Sequence, residues 1–581
     1  MKHSFCRLLM LLLCVGSVAW GQDDVVIKAM RDEMSRSISQ LRLADLDKPY
    51  FIAYRVDDTT TTKISAALGQ LTDKDLSHAR ALDVDVRVGD FALDNTNFLA
   101  LSSSGFGGGN CGCHTSLPLD DDYDQIRRQI WLETDGQYKQ AAAELASKRS
   151  VLKHREPGQD LPDFAPQSPN SVADKHGDLK VDVAALEKLA RDLSGLFRDS
   201  PEILMSGVDV WVVDSFVRFI DSEGTSFTRA EPLIILNVRA FTRARDGQPL
   251  GDVFQVYGRS VGVLRAEDLQ ARTRELLARV KGLQVAADLE TYNGPVLFES
   301  EAAGEVMAQV FAPAVVAFRI PLSDDPQFQV QFKQVLAQFG GSLADRMGGK
   351  VMPEYFDLTD NPRPDHLGET ELLGAYAIDD EGVPTRAVAI VEAGRLKNLL
   401  ATRTPTPQTK ASTGSARSTG AAAPSNLFLS TLKPQTSADL RKELLRVAQQ
   451  RGYGYGIVLR HLGASSVNAL MRLSMARSGA NTGGIAAYKL FPDGHEEMVR
   501  ADVGPIPLAA FKEILAAVDK PGVYHGAFFS FGALLGGGGN ARQKTSVVSF
   551  VTPSLLFDEV SVKHPEGTAT KPPVLPSPLA K

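Results

Sequence analysis

Glu301 and Glu305 are the residues whose type and spacing most directly suggest chemistry. They stand four apart in a segment running Asn293-Gly-Pro-Val-Leu-Phe-Glu-Ser300-Glu301-Ala-Ala-Gly304-Glu305. Four residues is about one helical turn, so the two carboxylates would share a face. Like charges so placed repel unless a cation, a proton or a partner group sits between them. A solvated face near a helix N-terminus, where acids are favoured, is the plainer explanation. Other groups invite similar readings. Asp120 to Asp122 offer oxygens to a hard cation, although a charged helix start explains them too. Asp379-Asp380-Glu381 admits a metal, although a tight polar turn needs the same residues. His495-Glu496 suggests zinc, yet no histidine follows four or five residues on. Cys111 and Cys113, in a glycine-rich run ending at His114, could begin a metal site or close a local disulfide. No second cysteine pair completes a tetrahedral set, and a glycine loop with incidental thiols also accounts for them.

These residues need elements to position them. The apolar run Val296 to Phe298 reads as a strand feeding straight into a helix that starts at the acidic pair. Upstream, Ile27, Met30, Met34, Ile38 and Leu41 recur at helical spacing. Pro49 to Val56, Lys63 to Leu71 and Val84 to Leu93 alternate like strands. A helix is expected to bury Ile126, Ile130, Trp131 and Tyr138, and another to bury Leu186, Leu189, Leu193 and Leu196. Strands follow at 208–213, 217–220 and 232–241, turning at Asp221-Ser222-Glu223-Gly224 and Arg245-Asp246-Gly247, before a helix over 266–283. Further helices are expected over 326–347 and 437–450. Residues 402–426, dominated by Thr, Ser, Ala, Pro and Gly, read as a mobile loop.

At 581 residues the chain exceeds a single core. Its 43% apolar and 23% charged content is ordinary for a globular protein. A net charge of −7 leaves no electrostatic footprint for nucleic acid. Residues 1–21 read as a cleavable secretory signal: Lys2 and Arg7, an apolar stretch from Leu8 to Val18, then Ala19-Trp20-Gly21 before Gln22. A periplasmic or secreted protein is expected, with no membrane insertion after cleavage. The expected fold class is α+β in two domains. Residues 22–290 would form a mixed sheet with helices, and 291–563 a largely antiparallel β domain with helices. A proline-rich tail over 564–581 is expected to be disordered.

Several stretches of the second half resemble one family. The 293–309 segment is similar to the metal-binding helix of the TldD/PmbA metallopeptidases, whose active members read His-Glu-Ala-x-Gly-His. Ser300 takes the place of the first histidine, Glu301 of the catalytic glutamate and Glu305 of the second histidine, while Ala302 and Gly304 are kept. A five-residue spacing turns roughly 500° on a regular helix, about 140° off one face. A π-type bulge eased by Gly304 would bring the two positions together. The run Asp379-Asp380-Glu381-Gly382-Val383-Pro384, with the strand ending Glu392-Ala-Gly394-Arg395-Leu396, resembles the family's signature hairpin. Thr413-Gly414-Ser415-Ala416-Arg417 resembles a Thr-Gly-x-x-Arg stretch, which makes Thr413, Gly414 and Arg417 candidates for peptide contact. Active members place a cysteine ligand in a glycine-rich turn near the end, where this chain has Gly536 to Gly539.

The resemblance implies a protein that pairs with a homologue around an internal chamber, one subunit carrying zinc and cutting unfolded peptides. In an active member the metal polarises the carbonyl and activates water, with the motif glutamate as base. Here both imidazoles and the thiolate are replaced, so the chain resembles the PmbA-like subunit that lacks the ligands. It is expected to hold no metal or cofactor itself, with zinc only in a TldD-like partner whose motif is intact, and to bind peptide. One alternative is a hydrolase in its own right, using Glu301, Glu305 and a histidine such as His461, His495 or His525. Another is an envelope scaffold that binds peptides. The family has also been labelled a modulator of DNA gyrase, which an exported acidic chain would not meet.

Overall fold

The computed structural model describes residues 24–43, 46–99, 115–154, 161–175, 177, 179–325, 327–328, 330–331, 334, 343–418, 421–462, 485–528, 546–565, 573 and 575–580. The signal at 1–21, both mature cysteines, the run 536–539 and most of the helix expected over 326–347 lie outside them, as does much of the tail.

The chain is α+β, and its described sheets are mostly antiparallel. The first half is built on an eight-stranded sheet. Its spine is a hairpin of two 19-residue strands, Pro49–Ala67 and Gln70–Val88. Three short strands were expected over this stretch. The threonines at 59–62 continue the strand instead, because β-branched residues suit a pleated backbone. Leu68 and Gly69, both at positive φ, make the reversal. The first strand also pairs with Met205–Asp221, a single strand where two were expected. That strand pairs with Leu233–Arg243, which pairs with Pro249–Gly258. Helices Val25–Gln40 and Tyr123–Lys153 cover one end, burying Met30, Ile126, Ile130 and Tyr138 against Ile52, Tyr54 and Val84. Trp131, expected in this core, is 42% exposed. The buried stripe runs Ile126, Ile130, Thr134 and Tyr138, and Trp131 falls one position off it, near Arg36. Helices Val183–Gly195 and Ala266–Val285 cover the other end through Leu186, Leu189, Leu193, Leu276 and Val280. Asp24, Asp122 and Asp182 cap three of these helices by accepting N–H bonds from Ile27, Gln125 and Ala185. Of the acids at 120–122, Asp122 is thus the helix cap and Asp121 pairs with Arg80 at 3.0 Å.

The second half has a nine-stranded and a six-stranded sheet sharing one large core. Tyr292–Phe298 runs centrally in the first, antiparallel to Leu555–Lys563 and parallel to Gly456–His461. In the second, Phe356–Asp360 lies between Val388–Glu392 and Asn426–Thr431. All described strands of the eight-stranded sheet end by Gly258, and those of the other two large sheets begin at Ala287.

Ser300–Val306 is a regular α-helix, and a π-helical turn follows it at Met307–Phe311. The bulge expected between Ser300 and Glu305 therefore sits one turn later, past Gly304. Gly304 has a different purpose: a Cβ there would meet Tyr524 Cβ at 2.4 Å. The missing side chain lets strand Gly522–Phe528 close onto the helix. Gly522 in turn admits Ser300, whose Cβ would lie 2.7 Å from an added Cβ.

The stretch 402–426, expected as a mobile loop, is folded and largely buried over its described residues. Its small polar side chains replace a regular ladder: Thr413 Oγ1 accepts the Ala401 N–H at 2.8 Å and lies 2.8 Å from Ser415 Oγ. Arg403 is fully buried, 3.9 Å from the Phe164 ring centre, donating to the Ala165 carbonyl and pairing with Glu223. The turn at 379–382 is polar and tight as expected, with Asp379 accepting the N–H groups of Glu381 and Val383. It is also buried and inserted into the first half. Asp380 pairs with Arg55 at 3.0 Å and with Arg229.

Burial pushes Asp380 up, but the Arg55 and Arg229 guanidiniums outweigh it and hold its carboxyl far below the usual range. Its folded pKa is depressed, so its stabilisation is complete above about pH 4 and is lost as pH falls towards the folded value. Asp380→Asn is expected to lower unfolding stability by roughly 3 kcal/mol near neutral pH, because it removes the charge shared by two buried guanidiniums and leaves each with one carboxylate, Asp57 for Arg55 and Glu231 for Arg229. The difference from wild type should shrink in acid, measured as urea midpoints across pH. Gly304→Ala should cost about 1–3 kcal/mol through overpacking against Tyr524, read from the same midpoints.

Candidate functional site

Strand Tyr292–Phe298 delivers the acidic helix to the junction of the two halves. Glu299 N–H continues the parallel ladder by donating to the Leu459 carbonyl at 2.9 Å, and Ala303 N–H then begins the helical pattern by donating to the Glu299 carbonyl at 2.8 Å. Ala302, Ala303 and Val306 face the core. Arg441 and Arg460 both pair with Glu299, and both also reach Glu496. The helix start is thus tied to the strand and helix beside it.

The regular turn places Glu301 and Glu305 together. Glu305 is 2% exposed, whereas the Glu301 side chain is 51% exposed. His461, at the end of strand Gly456–His461, completes the group. Its Nδ1 lies 2.9 Å from Glu305 Oε1 and 3.8 Å from Glu301 Oε1. Glu305 Oε2 accepts the Leu462 N–H at 2.6 Å. His461 Nε2 donates to the Val253 carbonyl at 3.1 Å and lies 3.3 Å from Asp252 Oδ1. A carbonyl only accepts, so Nε2 carries a proton and Nδ1 is the nitrogen free to take either a second proton or a metal. Asp252 is itself held by Arg279 Nε at 2.7 Å. Asp252, Val253 and Arg279 come from the first half, so the site spans both.

Electrostatics favour the doubly protonated ring. Burial lowers the His461 pKa, but the Glu305 and Asp252 carboxylates outweigh it and hold it well above the ordinary histidine value. Burial likewise pushes Glu305 up, against the pull of His461. Asp252 is driven up by burial but falls below the usual range because His461 and Arg279 face it. The Tyr524 hydroxyl is pushed well above its ordinary value by burial and by the Glu305 charge.

Glu301, Glu305 and His461 each offer one donor atom within 4.8 Å of the others. Two carboxylates and one imidazole nitrogen suit a divalent cation chemically. Such an ion would have to displace the proton on Nδ1. Ser300 is exposed and packs beside Gly522 rather than joining this group. Of the three histidines considered from sequence, only His461 converges. His495 is exposed, paired with Asp493 and stacked on Phe491. His525 bonds Ser549 at 3.0 Å, and burial lowers its pKa to about 4. Asp252, Arg279 and Tyr524 were not anticipated. Each lies far from the acidic helix in sequence, within strand or helix patterns that mark only core and surface.

The Thr-Gly-x-x-Arg stretch lies elsewhere. Thr413 and Gly414 are buried, and Gly414 sits at φ +76° with the Pro384 carbonyl 2.8 Å from where a Cβ would stand. Arg417 is half-buried, its guanidinium 4.3 Å from the Tyr376 ring centre.

Residues 291–471 match the family model described as the PmbA/TldA metallopeptidase C-terminal domain. None of the curated proteins matches the chain. Among solved structures, TldE from Thermococcus kodakarensis superposes with a TM-score of 0.54 at 13% identity, covering 92% of this chain and 99% of that one. The Thermotoga maritima structure named for a modulator of a DNA gyrase gives 0.54 at 14%, over 92% and 100%. One so named from Bacteroides thetaiotaomicron gives 0.55 at 12%, over 94% and 100%. At such identities the structural likeness speaks for the fold, while the match at 291–471 covers the acidic helix, the signature hairpin and His461. Together they show a PmbA/TldA metallopeptidase C-terminal domain over residues 291–471 and, over most of the chain, the fold of these solved structures.

Proposed function

We propose that this chain is the exported, non-metallated subunit of a peptidase pair. It would shape a chamber and hold unfolded peptide, while a TldD-like homologue with an intact His-Glu-Ala-x-Gly-His motif carries the zinc. The observation behind this reading is how the Glu305 charge is met. Where the motif has its second histidine, Glu305 is buried, and both its oxygens are engaged by His461 and the Leu462 N–H. The His461 imidazolium supplies the positive charge that an ion would otherwise bring. Ser300, where the motif has its first histidine, takes no part in the group. Glu301 keeps the position of the motif base, but a base without an activated water has little to act on.

A second reading is favoured by the same convergence. Glu301, Glu305 and His461 would hold a divalent cation if the Nδ1 proton left, and the chain would then be a hydrolase alone. An ion there would supply Lewis acidity and an acidified water. Glu301, the exposed member, is the residue able to reach a bound substrate.

Two measurements separate these. Co-expressed with a homologue bearing the intact motif, the chain should co-purify as a zinc-containing complex that cuts unfolded peptides, and no association would end the first reading. Purified alone, it should hold clearly substoichiometric metal by elemental analysis, whereas a full equivalent lost in Glu305→Gln would establish the second. His461→Gln removes the cation beside a buried carboxylate. It should cost roughly 3–5 kcal/mol in urea unfolding, while Glu305→Gln/His461→Gln together should recover part of that loss.

A further inference from the structure

A cavity of about 370 Å³ lies on the seam between the halves, within the size range of small-ligand sites. It is separate from the Glu301 group, and three guanidiniums line it: Arg229, Arg259 and Arg417. Their charges are met unevenly. Arg229 is paired with Glu231 and Asp380. Arg259 directs Nη2 to the carbonyls of Leu373 and Ala375, at 2.9 and 2.8 Å. Its backbone N–H, not its side chain, takes the Glu371 carboxylate at 2.9 Å. Arg417 rests on the Tyr376 ring. Among the described residues neither the Arg259 nor the Arg417 guanidinium forms an ion pair, and Asp174 is the acid of the lining that Arg229 does not take.

Two like charges held in a partly buried wall repel each other. Burial and the neighbouring Arg417 accordingly lower the Arg259 pKa. The fold holds them there regardless. Gly414, at positive φ against Pro384, accepts the Tyr376 hydroxyl at 3.1 Å, and Tyr376 carries Arg417. Thr413 anchors the same turn to Ala401. The turn therefore positions Arg417, with Thr413 and Gly414 serving as supports. Arginine forks match the planar geometry of a carboxylate, and a half-desolvated wall strengthens such contacts.

We propose that this cavity is a carboxylate pocket, in which Arg259 and Arg417 receive a carboxylate of a bound peptide; the peptide as ligand rests on the function proposed above. Two sources share this chemistry, a free C-terminus and an acidic side chain.

The test uses the full mature chain and three tripeptides of equal length: a neutral free acid, its C-terminal amide, and an amide with a central glutamate. Succinate serves as a non-peptide carboxylate. Calorimetry should show one of the two carboxylate-bearing peptides binding roughly tenfold or more tighter than the neutral amide, and which one does so identifies the source. Arg417→Met should erase that preference, while Arg417→Lys should keep part of it, as a point charge without the fork. Both variants are checked for unchanged unfolding midpoints. Equal binding of all three peptides, or a preference that survives Arg417→Met, overturns the pocket and leaves peptide binding standing. Thermal protection by succinate that Arg417→Met removes, with no peptide bound at all, overturns the peptide assignment and with it the proposed function.

Discussion

A carboxylate moved from water into a protein interior costs several kcal/mol unless a cation or a proton accompanies it. Glu305 is such a carboxylate, and its surroundings are arranged around that cost. The Leu462 N–H takes one oxygen and the His461 ring the other. His461 then needs its own second nitrogen satisfied, and the Val253 carbonyl and Asp252 do so from the opposite half. Asp252, in turn, is charged and buried, and Arg279 answers it. Each step leaves a remainder that the next must meet, until the chain of charges reaches the half-exposed helix Ala266–Val285. Removing any interior member strands the one before it, so these residues act as a unit.

The same logic governs the seam. A hydrophobic interface alone would leave two halves free to slide. Here Asp380 enters between Arg55 and Arg229, Arg403 reaches back to Glu223, and Asp163 is shared by Lys148 and Arg319. Buried ion pairs of this kind are weak net sources of stability, but they specify one arrangement, because any other leaves charges unpaired in low dielectric. The acidic helix and the strand carrying Asp252 can face each other at hydrogen-bond distance only if that arrangement holds. The site is therefore a property of both halves, although the acidic pair is written entirely in one.

Much of this was legible in the chain, for definite reasons. The apolar run Val296 to Phe298 marks the strand, the acidic helix follows directly on it, and helix Ser437–Gln450 is written in a pattern that acts within a few residues. The i,i+4 placement of Glu301 and Glu305 follows from helix geometry alone. Strand continuity through the threonines at 59–62 was not legible, because an alternating run with polar residues reads as a break until its partner strand is known. The burial of 402–426 was missed for a related reason. Small polar residues are typical of loops, and only contacts such as Thr413 with Ala401 and Arg403 with Phe164 reveal a packed one. His461 was one of three histidines that the sequence could not rank. Its partner Asp252 lies more than two hundred residues away, in a strand whose alternation marks only which side is buried.

Gly304 shows how a kept residue can change its meaning. A glycine beside an acidic pair suggests backbone freedom, and the five-residue motif spacing suggests a bulge to use it. The helix is regular there, and no positive φ is needed. What the position requires is the absence of a side chain, since Tyr524 occupies that space. Tyr524 in turn lies close enough to Glu305 for the carboxylate's charge to be felt at its hydroxyl. The glycine thus sets the wall of the pocket around Glu305. With that wall closed, the carboxylate is kept from water, and the imidazolium of His461 is the charge that makes its burial tolerable. The proton on the neighbouring ring thus supplies, 2.9 Å from Glu305, the positive charge that a buried carboxylate needs beside it.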